Sequence, residues 1–286
     1  IKVRAIYDTE ETKSTGLVNR LIAEKDNPKA DVFWSGDPVR PALLEFKGII
    51  TPYFSSTAAD IPKFYKDEDG HWTGFSARAR VILYNTNLVD MDERPLSIFD
   101  LAKPKWRGQG AIANPLFGTT SIHMAALFIT LGDEKAKKFL DALKANGVKI
   151  VSSNGEVKRL VARGEVKVGI TDTDDANVAI KEGSPVKIVF SDQTTIGTLI
   201  MPNMVCLVKN SPNPENGKKL IDYLLSAEVE RSMAWAACAQ MPLRYDVRTP
   251  ADVLTIDAVK GMDVDYHTVA KKLDEISEFL KQWAGY

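Results

Sequence analysis

The chain has 286 residues, 44% hydrophobic and 26% charged, with a net charge of −1. That length suffices for two compact lobes. The near-neutral balance gives no electrostatic case for nucleic acid or an anionic membrane, and no window approaches the roughly 18 uninterrupted apolar residues of a membrane span.

No signal-peptide pattern opens the chain, which reads as a mature or trimmed form. Ile1-Lys2-Val3-Arg4-Ala5-Ile6-Tyr7 alternates like a strand, and residues 15–25 form an amphipathic helix pattern with Leu17, Leu21 and Ile22 on one face. Asp31-Val32-Phe33-Trp34 is a short strand that stops at Ser35-Gly36-Asp37-Pro38. There Asp37 suits an N-cap and Pro38 the first turn of a helix running through Leu43, Leu44 and Phe46 to Gly48. Residues 81–86 are another strand. Its approach, Ser76-Ala77-Arg78-Ala79-Arg80, sets two arginines on one face if extended. Strand, polar turn and helix in alternation predict an α/β fold with a mostly parallel sheet.

After Ala111-Ile112-Ala113-Asn114-Pro115 comes Gly118-Thr119-Thr120-Ser121, opening the apolar helix of residues 122–131. A glycine and three hydroxyls at that point are either an ordinary cap or an anion seat, since free N–H groups and the positive end of the helix dipole meet there. Residues 134–146 are a helix stopped by Gly147. Residues 148–151 are a strand ending at Ser152-Ser153-Asn154-Gly155, and residues 156–162 a short helix. Residues 186–190 form a strand ending at Ser191-Asp192-Gln193, and Asn213-Pro214-Glu215 opens a helix through Leu225. Ser226 caps the next helix, and residues 266–283 form the last, with Val269, Leu273, Ile276 and Leu280 on one face. Cys206 and Cys238 lie in apolar runs and read as buried small hydrophobes rather than a redox pair.

The most informative stretch lies between these elements. The strand of residues 166–170 ends in Thr171-Asp172-Thr173-Asp174-Asp175, and a helix pattern follows from Ala176. In open α/β sheets, ligands bind where strands end and helices begin. Three carboxylates there are either a ligand site or a solvated helix cap. With the seat at Gly118, Thr119 and Thr120, they suit a polar solute carrying an oxyanion at one end and hydroxyls or an ammonium group at the other. Hard cations also take carboxylate oxygens, so Asp37, Asp172, Asp174 and Asp192 form an alternative metal set. Trp34 either stacks on the ligand or belongs to the core. No enzyme is expected: His71, His123 and His267 sit in no motif, and there is no G-x-S-x-G, H-E-x-x-H or phosphate-loop pattern.

Several segments together resemble the periplasmic solute-binding proteins of ABC importers, specifically the ferric-ion-binding type. They are Asp31-Val32-Phe33-Trp34, Pro104-Lys105-Trp106-Arg107-Gly108 with Pro115 and Gly118-Thr119-Thr120, Ile196-Gly197-Thr198 with Pro202-Asn203, and Tyr223-Leu224-Leu225-Ser226. The resemblance covers nearly the whole chain. It implies a class II two-lobed fold with two crossover strands, near residues 78–81 and 199–201, and a ligand cleft between the lobes. Lobe 1 is then residues 1–80 plus 202–250, and lobe 2 residues 81–201 plus 251–286. It also implies a monomer in the periplasm that delivers a small solute to an inner-membrane permease, with no cofactor. An oxyanion is expected on Gly118, Thr119, Thr120, Asn154 and Arg78, with Ser35, Asp37, Thr171, Asp172, Asp174 and Asp192 completing the ligand set. The departures are equally definite. The family's two metal-binding tyrosines fall at Thr173 and Asp174, and its metal-binding glutamate at Gly36 or Asp37. The chain also begins on the order of 25 residues into the family pattern, past a first strand and helix.

Overall fold

Alternating apolar strands and amphipathic helices build the chain in the computed structural model, which describes residues 1–8 and 15–285. In chain order the elements are α1 (Thr15–Ala23), β1 (Val32–Ser35), α2 (Val39–Phe46), β2 (Ile50–Thr51), β3 (Thr73–Asn85), β4 (Gly110–Ala113), α3 (Gly118–Leu131) and α4 (Asp133–Ala145). They continue as β5 (Lys149–Val151), α5 (Asn154–Ala162), β6 (Val168–Asp172), α6 (Thr173–Lys181), β7 (Val186–Val189), β8 (Ile200–Val208), α7 (Pro214–Leu224), α8 (Ala227–Trp235) and α9 (Tyr266–Ala284). Ile1–Tyr7, expected as a strand, is exposed and pairs with no ladder among the described residues, so its alternation has no sheet to serve.

Two compact units result. Unit 1 holds Ile1–Ala77, Met201–Ala234 and Met241–Thr255; unit 2 holds Arg78–Ile200, Trp235–Gln240 and Ile256–Tyr286. The chain divides at 77/78, 200/201 and 255/256, where the sequence reading put its breaks at 80/81, 201/202 and 250/251. Residues Trp235–Gln240 go with unit 2.

In unit 1, β1 runs antiparallel to β8, with Phe33 opposite Cys206 and Trp34 opposite Val205, and β2 pairs with β8 further along. β8 is buried along its whole length, and its residues from Met204 to Val208 are all apolar. Trp34 is 45% exposed and leans on the buried Phe75 ring, with centroids 5.1 Å apart. Glu230 is fully buried. It accepts hydrogen bonds from the N–H of Ser76 (2.8 Å) and Leu243 (2.9 Å) and from Arg244 Nη1 (3.0 Å). The carboxylate thereby holds Ser76 in a left-handed conformation (φ 48°) immediately before β3 leaves the unit.

In unit 2, β4 is parallel to both β6 and β5, while β3 is antiparallel to β6 and to β7. α5 packs on β6 at Gly169, where a Cβ would fall 2.4 Å from Val157 Cγ1; only glycine allows that approach. α9 lies against α3, with the Phe128 and Phe279 rings 5.7 Å apart. Cys206 is buried, Cys238 half-buried, and both are free thiols.

Candidate functional site

The site grows from one register. Arg80 of β3 stands directly opposite Asp172, the last residue of β6, so the ladder itself sets a cation against a carboxylate. Arg80 is 1% exposed. Its Nη1 donates to Asp172 Oδ1 (2.6 Å), Asn154 Oδ1 (2.9 Å) and Thr119 Oγ1 (3.2 Å), and its Nη2 donates to Thr120 Oγ1 (3.2 Å). Asp172 Oδ2 accepts from Thr119 Oγ1 (2.7 Å) and from Asn154 Nδ2 (3.1 Å). Burial by itself would raise the pKa of Asp172; the guanidinium of Arg80, then that of Arg78, and the hydrogen bonds from Thr119 and Arg80 outweigh it and hold the carboxyl below its ordinary range.

Thr119 and Thr120 belong to the first turn of α3. Phe117 occupies the N-cap position in an extended conformation, and among the described residues no side chain caps the helix. The first-turn N–H groups therefore lack both intrahelical acceptors and a cap. Gly118 takes φ +56°, which favours glycine and lets the chain turn sharply into the helix. One turn further along α3, His123 is buried, and its Nδ1 has no partner among the described residues. Burial first, and then Arg80, push its pKa down to about 3 against the opposing pull of Asp172, so the imidazole is neutral.

Around this floor lies a more open rim. Arg78 Nη1 donates to Asp174 Oδ2 at 3.0 Å, and Arg78 Nε lies 3.9 Å from Asp172 Oδ2. Asp174 Oδ1 accepts from the N–H of Asp175 at 3.1 Å. Asp172, Asp174 and Asp175 can each offer one oxygen within 4.8 Å of the others. Burial, followed by the charges of Asp174 and Asp172, raises the pKa of Asp175 to about 6.

The placement of the expected residues is uneven. Arg78, Gly118, Thr119, Thr120, Asn154, Thr171, Asp172 and Asp174 fall in unit 2 around this constellation. The arginine that hydrogen-bonds Thr119, Thr120 and Asn154 is Arg80, which the expected set did not include, while Arg78, expected to share an oxyanion with those residues, pairs with Asp174. Arg80 faces inward across from β6, whereas Arg78 turns to the rim. Asp192 does not join the acidic group. Its carboxylate accepts from Ser97 Oγ (2.5 Å) and the N–H of Ile98 (3.0 Å), which ties down the loop before β4. Ser35 and Asp37 lie in unit 1 and serve α2: Ser35 Oγ accepts from the N–H of Asp37 (3.2 Å), and Asp37 Oδ1 accepts from those of Val39 (3.0 Å) and Arg40 (3.1 Å). Thr171 is buried and donates to the carbonyl of Asn154 (3.2 Å). Within unit 2, Asp192 of the alternative metal set is tied to Ser97 and Ile98, while Asp172 and Asp174 meet Asp175. Arg80, Asp175 and His123 were missing from the expected site. The i,i+2 spacing of Arg78 and Arg80 was the signal for the first.

Residues 27–266 match the family described as bacterial extracellular solute-binding protein. The chain is similar to iron uptake protein A1 of Synechocystis, at 30% identity over 265 residues covering 86% of this chain and 71% of that protein. It is similar to a putative 2-aminoethylphosphonate-binding periplasmic protein of Salmonella typhimurium, at 31% identity over 299 residues covering 94% of this chain and 84% of that protein. Its fold is similar to that of the Trichodesmium protein IdiA (FutA) solved with iron and citrate, with a TM-score of 0.84 and 26% identity over 96% of this chain and 89% of that one. The fold class is that of the two-lobed periplasmic binding proteins. The chain belongs to the bacterial extracellular solute-binding proteins, in the ferric-ion-binding type that serves ABC importers, a family of transport proteins rather than enzymes.

Proposed function

We propose that the protein is the periplasmic substrate-binding component of an ABC importer, acting as a monomer that delivers a small solute to an inner-membrane permease. The solute carries an oxyanion of phosphate or phosphonate type and, at its other end, hydroxyls or an ammonium group. The observation that carries this reading is the uncapped start of α3 beside two arginines, Arg78 and Arg80. Free first-turn N–H groups and the helix dipole favour an oxyanion there. Arg78, less buried than Arg80 and paired with Asp174 at the rim, is the guanidinium that turns to the solute. When it does, Asp174 loses its partner, and Asp175 already stands in a crowded negative field. A solute bringing donors of its own restores the balance. The likeness to a putative 2-aminoethylphosphonate binder points to the same chemistry.

The grouping of Asp172, Asp174 and Asp175 favours a second reading, in which carboxylates hold iron or another metal with an accompanying anion. Against it, the oxygens of Asp172 are already engaged by Arg80, Thr119 and Asn154. Calorimetric titration with 2-aminoethylphosphonate, inorganic phosphate and ferric citrate separates the two. The expected outcome is stoichiometric binding of a phosphonate or phosphate, weakened by about 2 kcal/mol or more in Arg78→Ala as a charge-assisted contact is lost. Tight metal uptake without phosphonate binding selects the second reading.

A further inference from the structure

Donors from three separate elements converge on one point in unit 2: Arg80 Nη1 from β3, Thr119 Oγ1 from α3 and Asn154 Nδ2 from α5. Their targets are the two oxygens of a single carboxylate, at 2.6 Å from Arg80, 2.7 Å from Thr119 and 3.1 Å from Asn154. A guanidinium, a hydroxyl and an amide aimed together at one carboxylate are the chemistry of an oxyanion-binding pocket. Here the occupant is supplied by the chain itself. The register of β6 against β3 delivers it, and both Arg80 and Asp172 are buried.

We propose that Asp172 is a built-in counter-anion, which fills the inner oxyanion seat at Arg80 from within the chain and bars a free small anion from it. The physical case is one of tethering. The β-carboxylate of Asp172 is in effect a formate ion fixed to β6, so it occupies the pocket at an effective concentration that a dilute anion in solution does not match. Burial strengthens the preference. An Arg80 side chain out of water requires a permanent opposite charge, and a dissociable ion would leave it uncompensated whenever it departed. The consequence for specificity, resting on the solute reading above, is that the solute's oxyanion meets Arg78 and the start of α3 rather than Arg80. The solute then enters without a second small anion alongside it.

Chemical rescue tests this without reference to the solute. Asp172→Ala removes a formate-sized group and leaves the Cβ in place. Its Tm is expected to fall by about 10 °C, because a buried guanidinium loses its partner. Sodium formate is expected to restore much of that loss saturably in the variant, while formamide, of the same shape but neutral, does not. Wild-type protein, its seat already filled, is expected to show no such formate-dependent rise. If the alanine variant does not accumulate as folded protein, Asp172→Ser, which keeps a hydroxyl in the same network and still leaves space, is measured in the same way. Absence of formate rescue in the folded variant overturns the proposal, and so does an equal formate shift in wild type. Failure of wild type to bind a phosphonate or phosphate in calorimetry instead removes the solute reading and leaves the formate result standing.

Discussion

At the scale of single residues, the two arginines of the Arg78-Ala79-Arg80 run show how one spacing yields two roles. Both reach Asp172, but Arg80 lies fully buried across the ladder whereas Arg78 sits at the rim against Asp174. The rim also carries an electrostatic cost. Asp175 titrates at about 6 against an ordinary value of 3.8, first because of burial and then because of Asp174 and Asp172. The folded state disfavours its ionised form. Its contribution to stability is therefore complete below pH about 4 and is lost as pH rises through about 6. Asp175→Asn is expected to raise stability at pH 7 by about 1 kcal/mol, after allowance for partial solvation. It is also expected to flatten the change between pH 4 and 6. Urea unfolding of both proteins at pH 4 and pH 7 checks it, and equal pH profiles would show that the acidic loop imposes no cost.

At the scale of elements, α3 is the informative one. Its N-terminus has every feature of a capped helix except the cap: the N-cap position is extended, yet it is occupied by Phe117, which is 55% exposed. Phe117→Ser would supply the missing acceptor. The expected outcome is opposed effects: a gain of about 1 kcal/mol in stability, and weaker binding of a phosphonate or phosphate because the new hydroxyl oxygen competes for the same N–H groups. Thermal melts and calorimetry on the one variant give both signs. A stabilised variant with unchanged anion affinity would show that the solute does not use this helix end. In unit 1, Asp37 does what Phe117 does not, its carboxylate taking two first-turn N–H groups of α2. That contrast separates a helix start completed by its own chain from one left open.

At the scale of the whole molecule, the prediction concerns what the protein carries. The sequence reading sets Thr173 and Asp174 where iron binders of this type have tyrosines. Both are engaged in the fold, Thr173 Oγ1 accepting from the N–H of Ala79 (3.1 Å) and Asp174 pairing with Arg78 (3.0 Å). A phenolate–iron complex is coloured through charge transfer, and a carboxylate site is not coloured in that way. Protein mixed with ferric salt is therefore expected to stay colourless, and its Tm to be unchanged by a chelator. A red-purple complex would mean that a tyrosine from elsewhere in the chain ligates iron. A colourless complex holding a stoichiometric, chelator-resistant metal would establish the carboxylate–metal reading.

Much of this architecture was legible along the chain because it is local. Helical spacing marked α4, α7 and α9; apolar runs marked β1, β6 and β7; Asp37 announced the start of α2. Order and spacing of segments pointed to the family. What the sequence did not contain was the pairing of distant positions. Which of two arginines faces inward depends on β3 lying opposite β6 in a register set by the whole sheet. That Asp192 ties down the Ser97 loop depends on a contact 95 residues away in sequence. Asp175 was one of three carboxylates that the sequence left open between a ligand site and a solvated helix cap, and burial beside Asp174 and Asp172 raises its pKa. Ile1–Tyr7 alternates like a strand and joins no ladder among the described residues, because alternation describes a face and says nothing of whether a partner strand is present. The sequence by itself determined most of the elements and the family, since propensity, capping and periodicity act over a few residues. Tertiary structure alone decided which charges meet, since burial and register are properties of chain segments brought together from far apart.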